Sequence, residues 1–401
     1  MRIALFHPAI TCKGGGERVI LEFIKHTQHN VDLYTWVYEP KKTYEEFKNF
    51  KIHIINTPIN KLSKSRSYFL RLVSLFLLPF FTKIPLEKYD VFIISTAGYT
   101  EFITFTNYKP KKTIAYVYTT LRTAASKNLV KWNLKYRCKN PLMKLIYLIK
   151  INFYRKLEKN AWKRIDVAIF DSKLTLQRAK ERNLIKNKKI YVVYPPISLG
   201  KIKTRKPENY FLYASRFSIH KRQDVLIDAW AKFVKEYPEY KLILAGFPSD
   251  NFEIIKEKAK KTKNIEIETN IDDERLKELY SKALACFFLG FEEDFGIAPF
   301  EVLSAGKTLM AVDKGGYVDL IKKAPSVIWI KERCDAEKVV KEIYKALKKF
   351  IKNKDYYIRK GLKNKDFIKS INLSPKEFAR KIDELIFNVG KENGNKHNKR
   401  S

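Results

Sequence analysis

Two glutamates, Glu293 and Glu301, stand eight residues apart in the stretch FFLGFEEDFGIAPFEVLSAG (287–306). Glu293 lies in a polar loop that follows a short apolar run, and Glu301 lies in a helix-forming run that Gly306 ends. A loop carboxylate can accept hydrogen bonds from the hydroxyls of a bound group, while a helical one reaches the same crevice from the side. Sugars and riboses present vicinal hydroxyls of that kind. Arg216 and Lys221 follow another strand-like run, YFLYAS (210–215). Two cations at the carboxyl end of a strand are placed to neutralise a diphosphate. A third signal follows RIALF (2–6), where Gly14, Gly15 and Gly16 open a helix. Absent side chains let backbone N–H groups approach an anion there, and the helix dipole assists. The glycines do not spell GxGxxG, and no acid stands where an NAD ribose would need one.

These residues need strands to carry them and helices to flank them. RIALF, VDLYTW (31–36), KIHIIN (51–56), DVFIIST (90–96), TIAYVY (113–118), VAIFDS (167–172) and KIYVVYPPI (189–197) read as a first strand series. A second comprises YFLYAS, KLILAG (241–246), IEIET (265–269) and ACFFLG (285–290). Helical patterns alternate with both, so the expected class is α/β with two doubly wound, Rossmann-like domains facing across a cleft. The expected domains are 1–198 and 199–372, joined by the polar linker LGKIKTRKPEN (199–209). Ser374-Pro375-Lys376-Glu377 reads as a capping box opening a helix over 373–389 that packs back on the first domain, with 390–401 a disordered tail.

Charge points to the partners. The 401 residues carry a formal charge of +37, and residues 101–200 hold 23 Lys and Arg against 5 Asp and Glu. Such an excess fits an anionic membrane face, phosphorylated substrates or nucleic acid. The segment 129–164 interleaves lysines with Trp132, Tyr136, Tyr147, Phe153, Tyr154 and Trp162, and 68–81 is strongly apolar but too short to span a bilayer. No helix-turn-helix, zinc-finger or RNP pattern accompanies them, so nucleic acid is not expected. Cys12, Cys138, Cys286 and Cys334 show neither paired nor metal-ligand spacing, and no secretory signal precedes the first strand. A reducing cytoplasm and no structural metal are expected.

Together these segments resemble the family-4 retaining glycosyltransferases (glycosyltransferase group 1), which have the GT-B fold. EDFGIAPFE (293–301) is similar to the family's E-x7-E element, SRFSIHKRQDVLIDAW (215–230) to its diphosphate segment and GGGERVILE (14–22) to its glycine turn. VVYPPI (192–197) and KGGYVDLI (314–321) resemble two further family stretches. The resemblance implies a metal-independent hexosyltransferase that takes a sugar such as mannose or glucose from a UDP- or GDP-linked donor, with no cofactor beyond that co-substrate. The acceptor would be lipid-linked or a glycan, and the enzyme would sit peripherally on the inner face of the membrane. Arg216 and Lys221 would hold the donor diphosphate, Glu301 the ribose, and Glu293 the transferred sugar. The Phe295-Gly296-Ile297 backbone would approach that sugar closely, and Gly15 and Gly16 would face the phosphates. Tyr118 departs from the family, which often has His in the segment matching 117–122. Asp171 stands in place of a common Asn, and Asp319 in place of the usual Glu. A GT-B sugar-nucleotide epimerase and a basic nucleic-acid-binding protein are the alternative readings.

Overall fold

The computed structural model describes residues 1–60, 68–107, 112–121, 124–197 and 202–397. The chain divides into two compact units, one of Met1–Pro196 with Leu373–Ser401 and one of Ile197–Asn372.

The first unit opens with β1 (Arg2–Phe6), β2 (Ala9–Ile10), β3 (Asn30–Thr35), β4 (Val37–Tyr38) and β5 (Ile52–Ile54). It continues with β6 (Val91–Ala97), β7 (Lys112–Thr119), β8 (Val167–Phe170) and β9 (Lys189–Val192). Seven of these form a sheet in the order β5-β3-β1-β6-β7-β8-β9, and β2 pairs with β4 beside it. Every pairing is parallel, with Phe6 opposite both Tyr34 and Ile94. Ile3, Ala4, Leu5 and Phe6 are all buried, because a parallel strand is covered on both faces. The helices are α1 (Gly15–His26), α2 (Tyr68–Phe81), α3 (Lys127–Tyr136), α4 (Pro141–Trp162) and α5 (Lys173–Glu181). Asn140 caps α4 by accepting from the Met143 N–H, with Pro141 in the first turn, where a missing N–H costs nothing.

The second unit is a six-stranded sheet ordered β12-β11-β10-β13-β14-β15, again all parallel. Its strands are β10 (Tyr210–Ala214), β11 (Lys241–Gly246), β12 (Ile265–Thr269), β13 (Ala285–Phe288), β14 (Thr308–Val312) and β15 (Val327–Ile330). Around it lie α6 (Gln223–Glu236), α7 (Phe252–Lys260), α8 (Asp273–Lys282), α9 (Ala298–Ser304), α10 (Val318–Ile321), α11 (Ala336–Lys352) and α12 (Lys354–Ile371). Leu226, Ile227, Trp230 and Phe233 form the buried stripe of α6.

The chain ends in α13 (Pro375–His397), which belongs to the first unit. Phe378, Ala379, Ile382 and Ile386 join the core that also holds Val19, Ile20 and Phe23 of α1. Asp383 fixes the helix there by accepting from the Thr27 hydroxyl (2.5 Å) and the Gln28 N–H (2.9 Å). The helix continues through His397, so the polar segment that composition marked as a tail is helical up to that residue. Once the packed turns are formed, each further residue adds a hydrogen bond at low cost. Residues 398–401 lie outside the described residues.

One other expectation changes. Part of the polar linker, 199–201, lies outside the described residues, but its remainder is strapped to the second unit. The Thr204 hydroxyl donates to the Ala305 carbonyl (2.9 Å), and the N–H groups of Arg205 and Glu208 donate to Ser281 and Lys282. The apolar run 68–81 is mainly a packing helix: Ser74 and Leu78 are buried, and Phe76 and Phe80 stack among Tyr99, Phe102 and Phe105. The exposed apolar surface lies instead on α4, where Leu142 is 65%, Ile149 60% and Phe153 57% exposed.

Candidate active site

In a doubly wound sheet, ligands bind at the carboxyl ends of the two strands where the winding reverses. The reversal falls between β1 and β6 in the first unit and between β10 and β13 in the second. The residues that follow those four strand ends are where the chemistry gathers.

After β10 the chain runs through Ser215 and Arg216 into a 3₁₀ turn, Ile219–Lys221. Arg216 is exposed and makes no ion pair among the described residues. Lys221 points its ammonium to Glu293, with Nζ 2.7 Å from Oε2, and stands 5.2 Å from the centre of the Phe288 ring. Both partners of that pair are mostly buried. Arg222 adopts a left-handed backbone (φ 59°) as it enters α6 and turns inward. Its guanidinium donates to Glu332 Oε1 (2.8 Å) and the Arg333 carbonyl (2.7 Å) and lies over the Phe291 ring. Three cations within seven residues thus have three fates: Arg216 is open to solvent, Lys221 is paired in the crevice, and Arg222 braces the loops from within.

The loop after β13 is held in place from both sides. The Phe291 N–H donates to the His220 carbonyl (2.8 Å), and the Gly316 N–H donates to the Glu293 carbonyl (2.9 Å). Glu292 takes a left-handed backbone (φ 44°), a conformation that a non-glycine residue adopts at a cost. Gly296 (φ 85°) needs to be glycine: a Cβ there would lie 2.9 Å from Phe288 Cζ. These constraints aim the Glu293 carboxylate at Lys221 and carry Phe295, Gly296 and Ile297 into the start of α9. Glu301, in that helix, accepts from the Tyr280 hydroxyl (3.1 Å). Burial, with the Glu301 charge beside it, holds the Tyr280 phenol well above its usual range, so it remains a donor.

In the first unit, Gly15 and Gly16 begin α1, whose N-cap Gly14 supplies no side-chain acceptor. The first-turn N–H groups are therefore left to backbone, solvent or ligand. The Tyr118 hydroxyl donates to the Gly16 carbonyl (3.1 Å). Behind them His7, just past β1, shares a 2.7 Å hydrogen bond with Ser95 of β6 through Nδ1. Burial pushes the His7 imidazole down from 6.5 to about 4, so it is neutral at pH 7. His7, Ser95 and Tyr118 come from three adjacent strands, and the His7 and Tyr118 rings meet edge to face at 6.4 Å. The sequence pattern singles out Tyr118 but not His7 or Ser95. A signal for them was available, since both lie at the carboxyl ends of strands at the reversal.

Asp171, which stands where the family commonly has Asn, is buried and accepts from the Thr175 hydroxyl (2.7 Å) beside the Ser172 cap of α5. Asp319 lies in the first turn of α10. Among the described residues no group of three or more His, Cys, Asp or Glu side chains is arranged to hold a metal ion.

Residues 198–364 match the family described as glycosyl transferases group 1. The match falls entirely within the second unit, which is a group 1 glycosyltransferase domain. It is 23% identical over 374 residues to the alpha-1,3/1,6-mannosyltransferase ALG2 of Dictyostelium discoideum, an alignment covering 80% of this chain and 84% of that one. Two solved structures share the fold. Sucrose-phosphate synthase of Thermosynechococcus elongatus superposes with a TM-score of 0.73 at 14% identity, over 97% of this glycosyltransferase and 99% of the synthase. The Anabaena HepE protein, solved in complex with UDP, gives 0.70 at 13% identity, over 97% and 100% of the two chains. The fold of the glycosyltransferase is therefore GT-B.

Proposed function

We propose that this glycosyltransferase moves a hexose, with mannose the leading candidate, from a UDP- or GDP-linked donor to a lipid-linked or glycan acceptor, retaining the anomeric configuration and using no metal or other cofactor. The observation that carries the reading is the Lys221–Glu293 pair at the carboxyl ends of β10 and β13, with Arg216 open beside it and Glu301 held by Tyr280. Departure of a nucleoside diphosphate builds negative charge on the leaving group and positive charge on the sugar ring. Arg216 and Lys221 supply fixed cations for the first, and the Glu293 carboxylate hydrogen-bonds sugar hydroxyls while favouring the second. Glu301 takes the ribose hydroxyls. The backbone of Phe295, Gly296 and Ile297 offers N–H groups at the start of α9 in the second unit, and Gly15 and Gly16 offer theirs at the start of α1 in the first. Attack from the leaving-group side within an ion pair accounts for retention without a covalent intermediate. The mannosyltransferase relative supports mannose, and the UDP complex of a structural neighbour supports a uridine donor.

The acceptor reading rests on α4. Its amino-terminal half exposes Leu142, Leu145, Ile146 and Ile149 next to Lys144 and Lys150. An apolar helix flanked by lysines suits the interface of an anionic bilayer, and no helix of the described residues is long and apolar enough to cross one. We place the enzyme peripherally at a cytoplasmic membrane face. Thermal stabilisation by UDP-, GDP- and ADP-sugars tests the donor, since a ligand at 100 times its dissociation constant adds about 2.7 kcal/mol. No stabilisation by any of the three would refute the donor class. Equal recovery of the protein with neutral and anionic vesicles would refute the membrane reading.

A further inference from the structure

The first unit contains a cavity of about 1010 Å³ at the amino-terminal ends of β7, β8 and β9. This is the end of the sheet opposite Tyr118. Tyr118 lies six residue steps along β7 from Lys112, about 20 Å at the usual rise. The floor is apolar, with Ile165, Val167 and Leu184. Lys112 stands on the rim where β7 starts, and Lys159 and Lys163 reach it from the end of α4. Lys180 comes from α5, and Lys186, Lys188 and Lys189 from the segment leading into β9. Asn183 and Asn187, both in left-handed conformations, turn that segment around the opening.

Seven of the fifteen lining residues are lysine, whereas lysine and arginine together make up 80 of the 401 residues of the chain. One carboxylate, Asp166, faces them, and its Oδ1 lies 3.7 Å from Lys112. The carboxyl ends of α4 and α5 account for one cation each through their dipoles. Lys188 is half-buried, donates to the Ile165 carbonyl, and has its pKa lowered by that burial. A generic solvated face would not press an ammonium into a low-dielectric floor beside so many like charges.

We infer that this cavity binds a polyphosphorylated anion, at a site distinct from the carboxyl-end crevice of the sheet. Several lysines, each a flexible point charge with three donors, suit a compact group bearing several phosphates. The lining contains no aromatic side chain, whereas single-stranded nucleic acid is held by stacking on aromatics. Concavity also sets the cavity apart from the protruding apolar turns of α4.

Calorimetric titration of inorganic tripolyphosphate into the full-length protein tests the site. The wild type should bind, more weakly as salt rises. The K180Q/K186Q double variant, which changes two exposed lysines, should bind about 10- to 30-fold more weakly while its sugar transfer is unchanged. K188Q serves as an independent variant and should weaken binding in the same direction. R216A should bind as the wild type does. Absence of binding, or binding lost in R216A and kept in K180Q/K186Q, would overturn the assignment. Flotation with phosphatidate vesicles separates the two sources of such an anion. Flotation that depends on Lys180 and Lys186 makes a phosphorylated headgroup the ligand, and its absence beside retained tripolyphosphate binding makes the ligand a free anion. A single-stranded RNA that binds more tightly than tripolyphosphate through the same lysines would overturn the proposal in favour of nucleic acid.

Discussion

Replacing Lys221 by alanine separates the structural task of the Lys221–Glu293 pair from the role in transfer proposed for it. At 2.7 Å and an effective dielectric constant near 20, the gross attraction is about 6 kcal/mol. Desolvation of both groups and the ordering of the lysine chain offset most of it, because the side chains are only 15% and 18% exposed. A net loss of about 1.5–3 kcal/mol is expected, as for other hydrogen bonds to charged groups. Urea unfolding of K221A, E293A and the double variant measures that coupling. The double variant should be less destabilised than the sum of the singles by a similar amount, since each single already forfeits the whole Lys221–Glu293 attraction. Transfer should behave differently. Loss of a cation aimed at the departing diphosphate costs about 10²–10³ in rate, and removing Glu293 as well cannot restore it. Stability effects that simply add would refute the coupling. Near-normal turnover of K221A would refute the role in transfer.

Three further outcomes follow from the same geometry. R216A should lose about 10²–10³ in transfer while its urea midpoint stays close to wild type, because the side chain is exposed; a large stability loss would show that Arg216 is a structural residue. R182A should destabilise the first unit by about 3–5 kcal/mol in urea unfolding, since Arg182 is the ion partner of the fully buried Glu158, whose carboxyl burial already raises to about 7; a change under about 1 kcal/mol would contradict that role. His7 makes stability fall with acid: between pH 6.5 and about 4 the unfolded chain takes up a proton that the buried imidazole refuses, worth roughly 3 kcal/mol over the whole window. His7→Asn should remove that part of the slope in unfolding measured across the window, and an unchanged slope would show that His7 titrates normally.

Much of the fold was readable because parallel strands buried on both faces are short apolar runs. RIALF, YFLYAS and ACFFLG could hardly be anything else, and Arg216 and Glu293 could be assigned to strand ends from spacing alone. What spacing does not carry is the partner brought from far along the chain. Arg222 follows Lys221 directly, and spacing alone gives it no role of its own. Its inward turn depends on Glu332, 110 residues away, and on a left-handed backbone that no neighbouring residue announces. His7 meets Ser95 only because β1 and β6, 88 residues apart, are neighbours in the sheet. The apolar segment 68–81 suited a core helix or an interfacial one, and the basic, aromatic segment 129–164 suited a membrane face. Phe76 and Phe80 of the first stack among Tyr99, Phe102 and Phe105, and the second exposes apolar residues only beyond the packed end of α4, where Tyr154 and Glu158 are held. Composition could not say which residues would be exposed, because burial is a property of the neighbours.

The division of labour between the two glutamates tests the account most directly. Calorimetry should compare E301A and E293A for binding of whichever nucleoside diphosphate stabilises the wild type. A ribose hydroxyl without its acceptor in a closed site costs about 1–3 kcal/mol, so E301A should bind that free diphosphate about 10- to 100-fold more weakly. E293A should bind it about as well as wild type and show a lower turnover number with the sugar donor instead. If E293A weakened diphosphate binding as badly as E301A, or if neither variant weakened it, the assignment of ribose to Glu301 and sugar to Glu293 would be contradicted.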